Sequence, residues 1–330
     1  MKRRDFLKVA GKSIAGFAIA PTLLDSCEGN GGNGGTPDTP EGPAVEKPTG
    51  HFSLWQLTSA SDTIGNSYVL KTREGNLIVM DGGFETNGDA EKLRGYIKSK
   101  GGNKVKAWWL SHPHGDHIGA FLAITNDLQG MAIDTVYYSR LSDAAKAKEG
   151  GGALAQRLYD RLDVLAAAGV KVVNLNLGSR YDMDGIFIKV LGIANPEFLT
   201  ASQGTSVYNE QSVIVRFEDD AKSIVFTGDA SEQAGDKAIQ KYFKYLNCDY
   251  IQMAHHGQKG VRESFYKNIE FKHCLWPTPK WLWQAGEAGT AYADNPNGYN
   301  THLTRAWMAA KGIPEANHHV AWRDVDWYLA

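Results

Sequence analysis

Hydrophobic positions change their period repeatedly between residues 52 and 276, and each change marks an element. "FSLWQLTS" (52–59), "SYVLKT" (67–72) and "NLIVMDGG" (76–83) are aromatic and β-branched runs, the last two joined through the turn residues "REGN", and all three read as strands. "DAEKLRGYIKSK" (89–100) spaces its apolar residues three and four apart, the period of an amphipathic helix. "VKAWWLS" (105–111) returns to strand, "IGAFLAITNDLQ" (118–129) to helix and "AIDTVYYS" (132–139) to strand. Residues 142–168 predict helix broken at "EGGGA" (149–153), because glycine is a poor helix former. Strands follow at "VKVVNLN" (170–176), "GIFIKVLGI" (185–193), "QSVIVRFE" (211–218) and "KSIVFTGD" (222–229). Helix "SEQAGDKAIQKYF" (231–243), strand "CDYIQMA" (248–254), helix "RESFYKNI" (262–269) and strand "KHCLW" (272–276) complete the pattern, which contains no internal repeat. Strands first, then helices interspersed, predict an α/β chain of two mixed sheets with helices outside.

The N-terminus follows a different rule. "MKRRDFLKVAGKSIAGFAIAPTLLDSC" has a basic start, an apolar stretch over 13–24 and a cysteine. The stretch is too short for a comfortable membrane span and reads as a signal peptide over residues 1–26. "RRDFLK" resembles a twin-arginine export signal, and "LDSC" resembles a bacterial lipobox that would make Cys27 the lipidated first residue, although Asp25 is unusual there. A signal cleaved elsewhere, leaving a soluble exported protein, is the alternative. Residues 27–50 then carry five glycines between 29 and 35, followed by Pro37, Pro40, Pro43 and Pro48. Such a segment cannot build a core and reads as a flexible tether with a reach of about 25–30 Å. One folded domain is expected over 51–330, held off a membrane by a lipid anchor.

Composition adds little to the picture of that domain, since 42% hydrophobic and 22% charged residues are ordinary for a globular protein. Removing residues 1–26 leaves 30 basic against 35 acidic residues. A mildly acidic body has no general attraction for nucleic acid, so tight nucleic-acid binding is not expected, and any anion must be held locally. Cys248 and Cys274 could pair in an oxidising compartment or remain buried thiols within their strands.

The chemistry is concentrated in "LSHPHGDHIGA" (110–120), which places His112, His114, Asp116 and His117 within six positions. Residues two apart on an extended segment point the same way, so His112 and His114 can grip one ion. Gly115 permits a tight turn, and Asp116 and His117 fall at the start of the following helix, facing a neighbouring position. Further metal-capable groups stand at two other strand ends: Asp229 in "IVFTGDA", and His255 and His256 in "IQMAHHGQ".

H-x-H-x-D-H after a strand, then "TGD", then "HHG", with "DGG" at 81–83, resembles the metallo-β-lactamase fold superfamily over roughly residues 52–280. The competence-type (ComEC-like) branch is the most similar. The resemblance implies a four-layer αββα sandwich of two mixed sheets with a dinuclear, usually zinc, hydrolytic site at one edge; manganese is a further possibility. Carried over by position, it assigns His112 and His114 to a first metal and Asp116, His117 and His255 to a second, with Asp229 bridging. Asp81 would stand behind the ligands and fix the motif loop, and His256 would be a neighbour rather than a ligand. One departure matters: the family's third histidine for the first metal has no counterpart, because no histidine occurs between Ile118 and Ala254. Asn209, in "SVYNEQS", occupies the matching place, and an amide oxygen is a poorer zinc ligand than imidazole. A weaker first site, holding one or two ions in all, is expected.

Zinc brings the pKa of bound water near 7, so a metal-activated hydroxide is the expected nucleophile, with Asp116 as a candidate proton acceptor. Residual positive charge suits a small anionic substrate, with phosphodiesters favoured and lactones or amides as the alternative. A binding or sensory lipoprotein on a partly decayed metal site is the alternative outside enzymology. A redox-active diiron relative is a further one, but it normally carries an attached electron carrier that is not seen. Trp276, Trp281, Trp283, Tyr292, Tyr299 and Trp307 crowd the C-terminal region as an aromatic wall for a ligand or as plain packing, and His302, His318 and His319 read as ordinary histidines.

Overall fold

The computed structural model describes residues 47–330 apart from Gln203; the signal peptide, Cys27 and the tether up to residue 46 lie outside the described residues. Strands β1 (Phe52–Gln56), β2 (Ser67–Thr72) and β3 (Leu77–Asp81) pair antiparallel. Helix α1 (Asp89–Gly101) crosses over and β4 (Lys104–Trp109) joins β3 in parallel. Helix α2 (Gly115–Asn126), β5 (Ala132–Tyr138), the short α3 (Asp143–Lys146), α4 (Ala153–Ala167) and β6 (Lys171–Asn174) continue the parallel half.

The second sheet repeats this plan. Strands β7 (Arg180–Met183), β8 (Ile186–Gly192), β9 (Ile214–Glu218) and β10 (Ser223–Phe226) are antiparallel, with α5 (Val207–Glu210) between β8 and β9. Helix α6 (Glu232–Leu246), β11 (Tyr250–Gln252), α7 (Glu263–Asn268) and β12 (His273–Trp276) turn it parallel. The chain ends in α8 (Lys280–Trp283), α9 (Thr301–Ala310), β13 (His318–Val320) and β14 (Trp327–Leu329). The sheets run β14-β1-β2-β3-β4-β5-β6 and β13-β12-β11-β10-β9-β8-β7.

Strand alternation sorts the apolar residues into layers. On β3, Ile78 and Met80 point between the sheets with Phe52, Leu54 and Trp109, meeting Ile188, Val215, Phe217 and Phe226 from the other sheet. Leu77 and Val79 point outward beneath Leu93 and Ile97 of α1 and Phe121 of α2. On the far side Val225, Ile251, Cys274 and Trp276 pack under Ala234, Phe265 and Met308. The result is the expected αββα order of two mixed sheets.

Six elements escape the pattern of the sequence: α5, β7, α8, α9, β13 and β14. The strands among them are three or four residues long, shorter than any periodicity can register. The last two close an edge of each sheet, β14 on β1 and β13 on β12, so the C-terminal segment clasps both layers. Its aromatics mostly pack: Trp276 lies edge-on to Trp283 at 5.1 Å and donates its indole N–H to His318 Nδ1 at 3.0 Å. Cys248 and Cys274 are free thiols. Among the described residues no helix is long and apolar enough to cross a membrane.

Candidate metal centre

Three strand ends and one helix start meet at one edge of the sandwich. β4 runs out at Trp109, and the next residues pass through Ser111 and His112 to His114, which stands at the N-terminus of α2 with extended backbone. Asp116 and His117 therefore lie in the first turn of α2, buried against the sheet edge. Asp229 follows the end of β10, beyond Gly228, whose backbone is left-handed (φ 55°). A Cβ on Gly228 would lie 2.9 Å from the Ser111 Cβ, so the two motif loops approach as closely as glycine permits. His255 and His256 follow β11 in a turn with three successive positive φ values, 52°, 55° and 79° at Gly257.

Two sets of donor atoms result, and Asp229 belongs to both. Asp116, His117, Asp229 and His256 form one set; His112, His114 and Asp229 form the other. In the first-named set His117 Nε2 lies 3.1 Å from Asp229 Oδ1, and His256 Nε2 lies 2.9 Å from Asp116 Oδ2 and 3.5 Å from Asp229 Oδ2. Ligands about 2.0–2.2 Å from one tetrahedral zinc ion stand about 3.3–3.6 Å from each other, so this spacing is close to that of a coordination shell. In the other set His112 Nε2 and His114 Nδ1 face each other at 2.8 Å, with Asp229 Oδ2 3.9 Å from His112 Nε2.

The polar atoms behind these donors aim them. Asp81 accepts the Ser111 N–H at 2.8 Å, the Ser111 hydroxyl at 2.7 Å, an Asn66 amide N–H at 2.7 Å and His117 Nδ1–H at 2.7 Å. His256 Nδ1–H donates to the Pro277 carbonyl at 3.0 Å. Both rings thereby turn Nε2 toward Asp116 and Asp229, the arrangement by which outer partners orient metal-binding imidazoles. His117 Nε2 and Asp229 Oδ1 are buried without a hydrogen-bond partner. A cation between them would satisfy both, and the nitrogen and carboxylate donor set suits zinc and related divalent ions.

Electrostatics points the same way. Burial works against the charge on Asp116 and Asp229, but the neighbouring histidines outweigh it and hold both carboxyls below the usual range. Burial pulls the His117 and His256 imidazoles down, yet Asp229 and Asp116 raise both, His256 to about 9. Burial, aided by His117 and His114, pushes His112 well below its ordinary value. The buried carboxylates thus draw positive charge into the space between Asp229 and His117, where an ion would sit.

Most residues singled out in the sequence converge here, with differences of detail. His256, rather than His255, enters the set with Asp116 and His117. The His255 Nε2 accepts from the Gln258 amide at 3.1 Å, its Nδ1 faces the Lys259 carbonyl at 3.3 Å, and it stays 3.8 Å from Asp229. Asn209 turns its amide oxygen to Ser206, accepting from the Ser206 N–H at 2.9 Å, while its amide N–H donates to Asp229 Oδ2 at 3.1 Å. It therefore braces Asp229 instead of offering oxygen to an ion. His302 is exposed on α9 and stands apart from both sets.

Other participants were not visible beforehand. Glu149 accepts His114 Nε2–H at 2.8 Å, and the Gln252 side chain accepts from the N–H groups of Thr227 and Gly228 at 3.0 and 2.9 Å, bracing the loop that carries Asp229. Ser111 had only its place before His112 as a signal, and Glu149 only the glycines after it.

The sequence model described as "Metallo-beta-lactamase superfamily" matches residues 60–259. The chain belongs to the metallo-beta-lactamase superfamily. Among solved structures it is similar to the metallo-beta-lactamase fold protein YhfI from Bacillus subtilis, with 14% identity over 85% of this chain and all of that one, at a TM-score of 0.50. CmlA, a diiron beta-hydroxylase from Streptomyces venezuelae, shares 11% identity over 85% of this chain and 54% of its own at 0.49. Unliganded yeast PDE1 shares 10% over 82% and 96% at 0.49. At these identities the likeness is one of fold alone. No curated protein matches the chain.

Proposed function

We propose that the chain is an exported metal-dependent hydrolase that uses zinc and acts on small anionic esters, with phosphodiesters favoured. The observation that carries this reading is the pair of donor sets sharing Asp229, with His117 Nε2 and Asp229 Oδ1 buried and unpartnered between them. Asp116, His117, Asp229 and His256 would hold one ion; His112, His114 and Asp229 would hold a second. Bound ions would supply Lewis acidity and an acidified water, and with only two carboxylates in the sets they would leave positive charge for an anionic substrate.

The chain's own groups complete the chemistry. Asp81 and the Pro277 carbonyl keep His117 and His256 in the Nδ1–H tautomer, leaving both Nε2 atoms as donors. Asp116 is the candidate proton acceptor, a carboxylate kept ionised by the neighbouring His117 and His256. A mildly acidic body leaves positive charge concentrated at the site, which favours a compact anion over duplex DNA, even if the chain belongs to the competence-type branch.

Purified protein should contain zinc and turn over a chromogenic phosphodiester faster than a phosphomonoester, a lactone or a β-lactam. Turnover of the lactone alone would move the assignment to the lactone and amide class. The lack of a third imidazole in the set of His112 and His114 favours a second reading, a binding or sensory lipoprotein; bound metal without turnover on any member of the panel would select it. Export by the twin-arginine route and lipidation at Cys27 belong to the same proposal. Cys27→Ser should release the protein from membranes, and persistent membrane association of that variant would refute the anchor.

A further inference from the structure

We propose that Glu149 is a positioning residue that fixes the tautomer of His114 and thereby supports the metal position lacking a third histidine. The idea rests on the metal-centre reading for its purpose, but not for its geometry. Glu149 lies between α3 and α4, immediately before Gly150, Gly151 and Gly152, all of which have positive φ (50°, 62° and 81°). Three successive left-handed residues turn the chain back on itself at a place where other side chains would be strained. A Cβ on Gly152 would come within 2.8 Å of the Lys146 side chain. The glycine run is therefore what lets Glu149 reach the site while α4 begins directly behind it.

Both oxygens of Glu149 are engaged. Oε1 accepts the Tyr208 backbone N–H at 2.6 Å and Oε2 accepts His114 Nε2–H at 2.8 Å. Tyr208 in turn donates its hydroxyl to the Lys146 carbonyl at 2.7 Å, so the loop is tied to α5 at both ends. α5 also carries Asn209, the donor to Asp229. A carboxylate can only accept, so the proton of His114 must sit on Nε2, and Nδ1 presents its lone pair toward His112 Nε2. Glu149 makes the shorter contact to Nε2: the Ser206 hydroxyl, 3.3 Å away, gives its own proton to the Asn209 side-chain oxygen at 2.6 Å and can only accept from His114, so it favours the same tautomer more weakly. A His–carboxylate pair also makes the imidazole a stronger donor, which matters most where one imidazole is missing.

The test compares Glu149→Gln with Glu149→Ala in the full chain. In Glu149→Gln the carbonyl oxygen keeps the Tyr208 N–H, so its –NH2 faces His114 Nε2 and drives the proton to Nδ1. Side-chain nitrogen shifts of His114 in metal-free protein at pH 8 should report Nε2–H in the wild type and Nδ1–H in Glu149→Gln. With zinc present, the more weakly held ion should bind roughly 10–100-fold less tightly in Glu149→Gln, with the other ion unchanged. Glu149→Ala should lower the melting temperature further yet disturb the weaker ion less, an order opposite to that of a merely structural residue. An unchanged tautomer in Glu149→Gln, or equal weakening of both ions in step with melting temperature, would overturn the role of Glu149. A wild-type protein that binds no ion would instead refute the metal centre and leave the tautomer result standing.

Discussion

At the scale of single residues the decisive pair is His255 and His256. Neighbouring residues in an extended strand point to opposite faces, so one of the two faces the site, and the family resemblance pointed to His255. Three left-handed residues in succession break that rule. Gly257 permits the turn because a Cβ there would strike the Trp276 ring at 2.4 Å, and the ring holds the turn in place. The turn carries His256 to Asp116 and Asp229 and leaves His255 against Gln258 and Lys259. His256→Ala should therefore strip the ion from the set containing Asp116 and His117, lowering metal content by about one ion and also the melting temperature, because an ion bound only to the folded state stabilises it. His255→Ala should retain that ion. Metal analysis of the two variants checks the assignment, and the opposite order would restore His255 as the ligand. The sequence was legible as far as the motif and its strand ends; the choice within the pair was not, since backbone φ at two adjacent histidines leaves no trace in hydrophobic pattern. The same holds for Glu149 and Gln252, whose contacts join segments 35 and 24 residues apart.

At the scale of elements, the long strands and amphipathic helices announce themselves because each buries one face or both, and burial imposes a period. The clasp formed by β13 and β14 does not, because three residues make no period and their pairing depends on partners distant in sequence, β12 for β13 and β1 for β14. Within the clasp His319 stacks on Trp327 at 3.9 Å and on His273 at 5.3 Å, with His318 beside it in β13. Burial, with His273, lowers the His319 imidazole to about 4, while Asp324 pulls weakly the other way. Burial lowers His273 and His318 as well. A histidine with a depressed folded-state pKa takes up protons more readily when unfolded, so its contribution is whole above the ordinary pKa near 6.5 and lost as pH falls toward 4. Amide exchange in β13 and β14 should accelerate between pH 6.5 and pH 4.5 relative to β2 and β3, after correction for the intrinsic rate. His319→Phe should blunt that acceleration, since it keeps the stack and removes the titrating group. Uniform acceleration across both sheets would show that acid acts elsewhere.

At the scale of the whole molecule, two half-parallel, half-antiparallel sheets bring their loop-bearing strand ends to one edge, and Asp229 is the single carboxylate common to both donor sets. The sets are unequal. One has four buried donors, two of them imidazoles locked by Asp81 and Pro277; the other has His112, His114 and a share of Asp229, with Asn209 turned away to Ser206. The two mixed sheets were foreseeable from the order of strand and helix periods, and the sequence offers no histidine between 118 and 254 to fill out the smaller set. The most direct measurement is a chelator titration of zinc-loaded wild type, His114→Ala and His117→Ala, following bound metal and melting temperature together. Wild type should lose its ions in two separated steps. His114→Ala should lack the early step while keeping about one ion and most of its thermal stability, and His117→Ala should lose the late step and melt lower. Loss of both ions in one step, or equal metal loss in the two variants, would contradict a centre built from two unequal sets around Asp229.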